Sequence, residues 1–146
     1  MNVLVDTNVL LQLRAAESTP QTTLDTVLER LVNAHHRLCF CTQVAIEFWS
    51  VATRPVAANG LGLSTTEAQK RLRYFAMLLD WLPEPADIGP RWLNLVCQHA
   101  VKSKPAHDAW LVALMEAHGL PHLLTLNTAD FARFQNITAL HPSAVQ

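Results

Sequence analysis

The chain has 146 residues, of which 50% are hydrophobic and 16% are charged, and its formal net charge is -1. These values are typical of one globular domain with a substantial core, and they exclude an intrinsically disordered chain. They also exclude a strongly basic nucleic-acid-binding domain, so any contact with nucleic acid has to be local.

The cysteines and the hydrophobic runs indicate the compartment. Cys39, Cys41 and Cys97 form no disulfide framework of regular spacings, which favours a reducing environment. No apolar run approaches about 18 residues, and the N-terminus lacks the basic start and the cleavage site of a signal peptide. We therefore expect a cytoplasmic protein that makes no contact with a membrane.

Short apolar runs alternate with amphipathic segments along the chain. The apolar runs predict buried strands at 3–5, 38–41, 81–82, 122–125 and 137–140. Helical spacing of apolar residues, with capping and proline signals at several ends, predicts helices at about 7–16, 24–32, 42–53, 64–79, 89–100 and 105–118. Strands that alternate with helices form parallel sheets. The prediction is a single α/β domain over residues 1–146, with a four- to five-stranded, mainly parallel sheet flanked by helices on both faces.

Two of the predicted strands are followed at once by polar side chains. Asp6 comes directly after the first strand, where it is suited either to cap the next helix or to serve a site. Asn127 and Asp130 follow the fourth strand, in a segment whose composition is equally typical of a turn. Sites in parallel α/β sheets lie at the carboxyl ends of the strands, so both positions are candidates for one site.

Two further carboxylates lie on apolar faces near the starts of predicted helices. Glu47 shares its face with valines three residues before it and four residues after it, and a charge there needs a partner or a metal. An ion pair with an arginine such as Arg54 would supply that partner without any site. Asp108 lies in the first turn of its helix, where the helix dipole alone would favour a negative charge.

Considered jointly, the acidic residues point to a metal ion. Their positions allow them to converge at one edge of the sheet, and like charges about 4 Å apart repel by roughly 4 kcal/mol at an effective dielectric near 20. Protonation or a hard cation relieves that repulsion. A set of oxygen ligands, without Cys or His at metal-binding spacing, favours Mg²⁺ or Mn²⁺ over zinc.

Four stretches carry a resemblance to a known family: VDTNVLL at the N-terminus, Glu47 in TQVAIEF, HDAWLVALMEAHG, and LLTLNTADF. In their order and spacing, over nearly the full length, they resemble the PIN-domain family and its VapC-type toxins of toxin–antitoxin pairs. The resemblance implies an Mg²⁺-dependent endoribonuclease with Asp6, Glu47 and Asp108 as its acidic metal-binding core. Water would be the nucleophile, and either Asp108 or Asp130 would take its proton.

The remaining site residues also follow from the resemblance. The family commonly has a fourth acid in a Thr-x-Asp stretch, but here Asn127 stands in that slot and Asp130 lies three residues further on. The resemblance therefore leaves either Asn127 or Asp130 as the expected fourth metal ligand, and leaves open whether the site holds one metal ion or two. Thr7, Asn8 and Thr125 would orient the ligands, water or phosphate.

The partners implied are RNA, an antitoxin and a second copy of the chain. Lys102 and Lys104 shortly before Asp108, and Arg14 two helical turns after Asp6, are candidates for contacts with RNA phosphates, although each is also typical of a solvated surface. A cognate antitoxin would hold a toxin of this family inactive. The apolar helices offer more hydrophobic surface than one small sheet covers, which favours a homodimer.

Three other functions share part of this pattern. A phosphatase of the haloacid dehalogenase type needs a second Asp two residues after the first, where this chain has Asn8. A receiver domain needs a Lys after a late strand, and none follows residues 124–125. A catalytically weak or inactive PIN-fold module that binds RNA or protein stays open, because Asn127 brings no charge.

Overall fold

The structure is a computed structural model that describes residues 1–13 and 23–145. The β-branched and apolar runs of this part of the chain form five strands of one sheet, in the order β3-β2-β1-β4-β5. Every neighbouring pair of strands is parallel. The strands are β1 (Asn2–Val5), β2 (Arg37–Cys41), β3 (Asp80–Leu82), β4 (His122–Leu124) and β5 (Thr138–Leu140).

Six α-helices lie within the described residues, two in each connection from β1 to β4, and a short 3₁₀ helix (Thr128–Phe131) lies between β4 and β5. The α-helices are α1 (Thr7–Gln12), α2 (Thr23–Asn33), α3 (Thr42–Thr53), α4 (Thr65–Leu78), α5 (Ile88–Gln98) and α6 (Pro105–His118). The predicted α/β fold with its parallel sheet is thereby confirmed. Within the described ranges, no helix has the length and apolar character needed to cross a membrane.

The first strand is the centre of the sheet and fixes where the site lies. Val3, Leu4 and Val5 are fully buried, and β1 pairs with β2 on one side and β4 on the other. The Asp6 amide donates to the Leu124 carbonyl at 3.0 Å, which continues the pairing one residue beyond β1. Because all strands are parallel, the polar residues that follow β1 and β4 meet at the same edge.

Helices α3 and α6 differ in how they meet the core. Helix α3 buries one face, through Val44, Phe48 and neighbouring alanines, so that Glu47 is left half-buried at the margin. Helix α6 is buried over five consecutive residues, 111–115, as expected of an apolar helix that is enclosed on all sides. Only its first turn, which starts at Pro105, reaches the carboxyl edge of the sheet.

The first helix is shorter than predicted. It ends at Gln12, because Leu13 takes extended backbone angles and its side chain is buried in the core. Residues 14–16 of the predicted helix lie outside the described residues.

The three cysteines are free thiols, and no disulfide framework was predicted. Cys39 and Cys41 are buried in β2, which agrees with the predicted buried strand, and Cys97 is exposed.

The loop after α3 folds back on the end of that helix. Gly60 is packed so closely that a Cβ atom there would overlap the Arg54 carbonyl, and the Gly62 amide donates to that same carbonyl at 2.8 Å. Gly62 has a φ of +64°, which favours glycine. The two glycines therefore hold the backbone of Arg54.

Gly60→Ala tests this packing. We expect the added methyl group to force the loop away from Arg54 and to lower the free energy of unfolding by about 1–3 kcal/mol. Urea unfolding of the two proteins measures the difference. Gly89→Ala is the matched control, because a Cβ atom there meets nothing within 4 Å and alanine is the better helix former. Equal losses in the two variants would contradict the prediction.

Candidate active site

Asp6 is buried where β1 ends and α1 begins, with only 8% of the residue exposed. Its Oδ1 accepts a hydrogen bond of 2.7 Å from the Thr7 amide, and its Oδ2 accepts one of 2.7 Å from the Thr125 hydroxyl. Asp6 therefore caps α1 and also faces the carboxyl edge of the sheet. Burial raises the pKa of Asp6, and the charges of Glu47 and Asp130 add to that rise, while the two hydrogen bonds oppose it.

Thr125 links the ends of β1 and β4. It is fully buried, and its hydroxyl accepts from Asn8 Nδ2 and from the Asn127 amide, both at 3.1 Å, while it donates to Asp6. Asn8 Oδ1 in turn accepts from the Leu126 amide at 3.1 Å. These bonds hold the backbone after β4 against the start of α1, so Asp6 and Asn127 have a defined relative position.

Glu47 reaches the same edge from α3. Its Oε2 accepts from the Thr7 hydroxyl at 3.0 Å, and its Oε1 accepts from Gln43 Nε2 at 3.2 Å. Thr7 thus contacts both carboxylates, through its amide to Asp6 and its hydroxyl to Glu47. The structure describes Arg54 as well, and no ion pair joins it to Glu47.

Asp108 completes the acidic group from the first turn of α6. It is half-buried, and burial raises its pKa to about 6, with further contributions from the negative charges of Asp130, Asp6 and Glu47; His107 opposes the rise. The mutual influence of the four carboxylates on these pKa values follows from their closeness. All four carboxylates therefore contribute to the unfavourable concentration of negative charge at this edge of the sheet.

One cavity of about 650 Å³ contains all of the predicted metal ligands. They are Asp6, Glu47, Asp108, Asn127 and Asp130. Within the described residues, no three Asp, Glu, His or Cys side chains are close enough together to hold one ion directly. Mg²⁺ keeps several of its waters and is commonly bound through one or two carboxylates, so an oxygen-lined cavity with space for water fits a hydrated Mg²⁺ better than zinc.

Comparison with known proteins identifies the family. A model of the PIN domain matches residues 3–137. The chain belongs to the PIN-domain family. No curated protein sequence matches it.

Solved structures share the fold of this PIN domain. The crystal structure of VapBC2 from Rickettsia felis, bound to a DNA fragment from their promoter, matches with a TM-score of 0.71 and 16% identity, over 97% of this chain and 98% of that chain. VapBC-1 from nontypeable Haemophilus influenzae matches with a TM-score of 0.68 and 14% identity, over 98% and 99%. FitAcB from Neisseria gonorrhoeae matches with a TM-score of 0.62 and 21% identity, over 97% and 98%.

Among the residues that the structure describes, two lysine or arginine side chains line the acidic cavity of the PIN domain. Lys104 is one of them, and its contact with RNA stays a prediction. Arg54 is the other, and the sequence pattern suggested it only as a partner for Glu47. Its position seven residues after Glu47, two helical turns along the same face, is the signal that could have identified it. Lys102 is exposed and is not among the described residues that line the cavity, and Arg14 lies outside the described residues.

The raised pKa of Asp108 predicts how the stability of the metal-free PIN domain depends on pH. Between the ordinary value near 3.8 and about 6, the folded state binds more protons at Asp108 than the unfolded state does. The favourable contribution of neutral Asp108 is complete below about 3.8 and is lost as the pH rises through about 6. Asp108→Asn should therefore be more stable than the wild type at neutral pH, by about 1 kcal/mol after allowance for partial exposure, and equal to it near pH 4.

Thermal unfolding in a chelator, across pH 4 to 7.5, measures this difference. Glu84→Gln, an exposed position that does not line the cavity, is the matched control and should show no such pH dependence. An Asp108→Asn protein that is less stable than the wild type at pH 7.5 would contradict the electrostatic account.

Proposed function

We propose that this PIN domain is a Mg²⁺- or Mn²⁺-dependent endoribonuclease that hydrolyses RNA phosphodiesters. The observation that supports it best is the convergence of four carboxylates, from separate parts of the chain, on one cavity lined also by Lys104 and Arg54. A bound divalent cation would neutralise the negative charge of the carboxylates, and the side chains of Lys104 and Arg54 would attract the phosphates of RNA. PIN domains of VapC toxins are generally nucleases, and membership of the family adds to this support.

The residues divide into ligands and groups that position them. Asp6 and Asp108 would hold the ion, with Glu47 and either Asn127 or Asp130 acting directly or through water. When bound, the ion supplies polarisation of a phosphoryl oxygen and a lower pKa for the attacking water. The Thr7 amide and the Thr125 hydroxyl keep Asp6 oriented and oppose the rise in its pKa.

Hydrolysis needs an acceptor for the proton of the attacking water. A water molecule would attack phosphorus and give up one proton, while the bond to the 3′-oxygen breaks and that oxygen takes a proton from solvent. The products would be a 5′-phosphate and a 3′-hydroxyl. Asp108 and Asp130 are the two candidates for this acceptor, because both line the cavity in which the phosphodiester would lie.

The biological role we propose is the toxin of a type II toxin–antitoxin pair. Its support is the fold shared with VapBC and FitAcB structures over nearly the whole chain. The partner would be a cognate antitoxin, in the cytoplasm. A homodimer is also proposed, because Ile46 on α3 and Leu93 on α5 expose 64% and 53% of their surfaces.

The alternative is a PIN-fold module that binds RNA or protein with little or no catalysis. The absence of charge at Asn127 favours it. Asp130, however, lines the same cavity, and its charge raises the pKa values of Asp6 and Asp108. A fourth negative charge is therefore present near the other three, and this favours the nuclease.

Removing a carboxylate tests the metal-dependent mechanism. We expect Asp6→Asn and Asp108→Asn each to reduce RNA cleavage by about 100-fold or more, since even groups that only orient metal ligands contribute roughly 10- to 100-fold. Excess chelator should have the same effect on the wild type. The assay follows a labelled single-stranded RNA with Mg²⁺ or Mn²⁺.

Glu84→Gln, purified in the same way, controls for contaminating ribonuclease and should cleave like the wild type. Full activity of Asp6→Asn, or of the wild type in chelator, would refute the mechanism. A wild type that binds RNA but never cleaves it would support the binding module instead.

The cations of the cavity are tested by the salt dependence of RNA binding. For single-stranded RNA, each phosphate that a protein cation neutralises steepens the slope of log K against log salt concentration by about 0.7. We expect the slope to become shallower by that amount in Lys104→Ala and again in Arg54→Ala, measured with Ca²⁺ in place of Mg²⁺. Lys70→Ala, exposed on α4, is the control. Slopes that match the wild type in all three variants would reject both contacts; contact of Lys102 with RNA stays a prediction.

A further inference from the structure

A smaller cavity, of about 240 Å³, is lined by Gln43, Trp92, Ala106, His107 and Trp110. It adjoins the acidic cavity, because His107 lines both of them. We propose that it is a base subsite, in which one unpaired nucleobase of the RNA lies against the tryptophans while the adjoining phosphodiester occupies the acidic cavity. This inference rests on the proposed function and adds to it the position at which the substrate is recognised.

The two cavities are joined by shared side chains. His107 lines both of them. Gln43 Nε2 donates to Glu47 Oε1 at 3.2 Å and to the His107 carbonyl at 3.0 Å, so one side chain links a candidate metal ligand to the wall of the smaller cavity. The two cavities are therefore adjacent, and the proposal places a base in the smaller one and the adjoining phosphate in the acidic one.

The tryptophans provide a rigid aromatic surface. Their ring centroids are 6.3 Å apart and their planes are tilted by 54°. The indole N–H of Trp92 donates to the Ala106 carbonyl at 2.9 Å, which fixes that ring against the first turn of α6. Unpaired bases bind proteins mainly by stacking on such rings, at little conformational cost to the protein.

Gln43 also leaves one polar atom for the base. Because its amide nitrogen donates to a carboxylate and to a carbonyl, the hydrogen bonds determine which end of the side chain is nitrogen. Among the described residues, Gln43 Oε1 has no hydrogen-bond donor. It can accept from an N–H on the edge of a base, whereas the tryptophans contact its face.

The occupant is inferred from this combination. An apolar side chain of another protein would fill the aromatic cavity but would make no use of Gln43 Oε1 or of the adjoining acidic cavity. A nucleotide would use both features. Its base would stack on the tryptophans and donate an N–H hydrogen bond to Gln43 Oε1, and its phosphate would lie in the acidic cavity. Trp110 lies three residues after His107 on the same face of α6, so this helix carries both a ring of the smaller cavity and the side chain that the two cavities share.

Nuclear magnetic resonance of the indole N–H groups tests the subsite without cleavage. The intact protein is titrated with adenosine 5′-monophosphate or cytidine 5′-monophosphate, and ribose 5-phosphate serves as the probe without a base. We expect the signals of Trp92 and Trp110 to shift with the nucleotides and not with ribose 5-phosphate. Trp49 and Trp81, which do not line this cavity, are internal controls, and single Trp→Phe variants assign the four signals.

Three results of this titration would overturn the inference. The first is that the Trp92 and Trp110 signals stay unmoved at millimolar nucleotide. The second is that ribose 5-phosphate shifts them equally, which indicates recognition of phosphate alone. The third is a shift that depends on protein concentration without nucleotide, which assigns the cavity to a second copy of the chain.

The kinetics of RNA cleavage provide a second test of the base subsite, once a cut site has been mapped on a single-stranded RNA. We expect an abasic nucleotide at one position beside the cut to raise the KM of the wild type roughly 10-fold, with kcat little changed. Trp110→Leu should show a similar rise on the unmodified RNA and no further rise with the abasic one. Trp81→Leu, an exposed tryptophan outside both cavities, is the matched control.

Unchanged KM values for Trp110→Leu and for every abasic substrate, with cleavage intact, would refute the base subsite and leave the nuclease proposal standing. If the wild type cleaves no RNA at all, the proposed function fails, and the titration still decides whether the cavity binds a base. The titration uses the wild-type chain, so it decides the question even where Trp110→Leu does not fold.

Discussion

The buried carboxylate of Asp6 is the constraint around which this PIN domain is organised. It lies at the end of the central strand, where its oxygens accept from the Thr7 amide and the Thr125 hydroxyl and thereby join β1, α1 and the residues after β4. The charges of Glu47 and Asp130 nearby are negative and raise its pKa. A buried anion among anions is unfavourable, so this arrangement costs stability in the protein alone and favours a divalent cation that would relieve it.

The structure resolves choices that the residues alone left open. Asp6 was compatible with a helix cap or with a site, and it fills the first role while lining the acidic cavity. Glu47 was compatible with an ion pair to Arg54, but its partners are Thr7 and Gln43. A residue that satisfies a local rule of helix capping can therefore also be available for chemistry, and local patterns cannot separate the two.

Much of the fold could be predicted, because its strands are continuous apolar runs and its helices have clear apolar spacing. The limits of α6 agree with the prediction, since Pro105 and Gly119 mark them. The end of α1 differs from the prediction, because the burial of Leu13 depends on packing against distant residues. Trp110 could be noticed as an aromatic close to Asp108, but the role of Arg54 in the acidic cavity and the pairing of Trp92 with Trp110 were missed for the same reason. The end of α3 and the packing of α5 on α6 bring these side chains into place, and neither is a local property.

The central claim is that the acidic cavity binds a divalent cation through its carboxylates and water. Anomalous diffraction at the manganese edge, from crystals of the protein soaked in Mn²⁺, measures this directly. We expect a single strong anomalous peak inside the cavity, next to Asp6 and Asp108, and none there in crystals of Asp6→Asn. A cavity without an anomalous peak at saturating Mn²⁺, or an equal peak in Asp6→Asn, would contradict the claim.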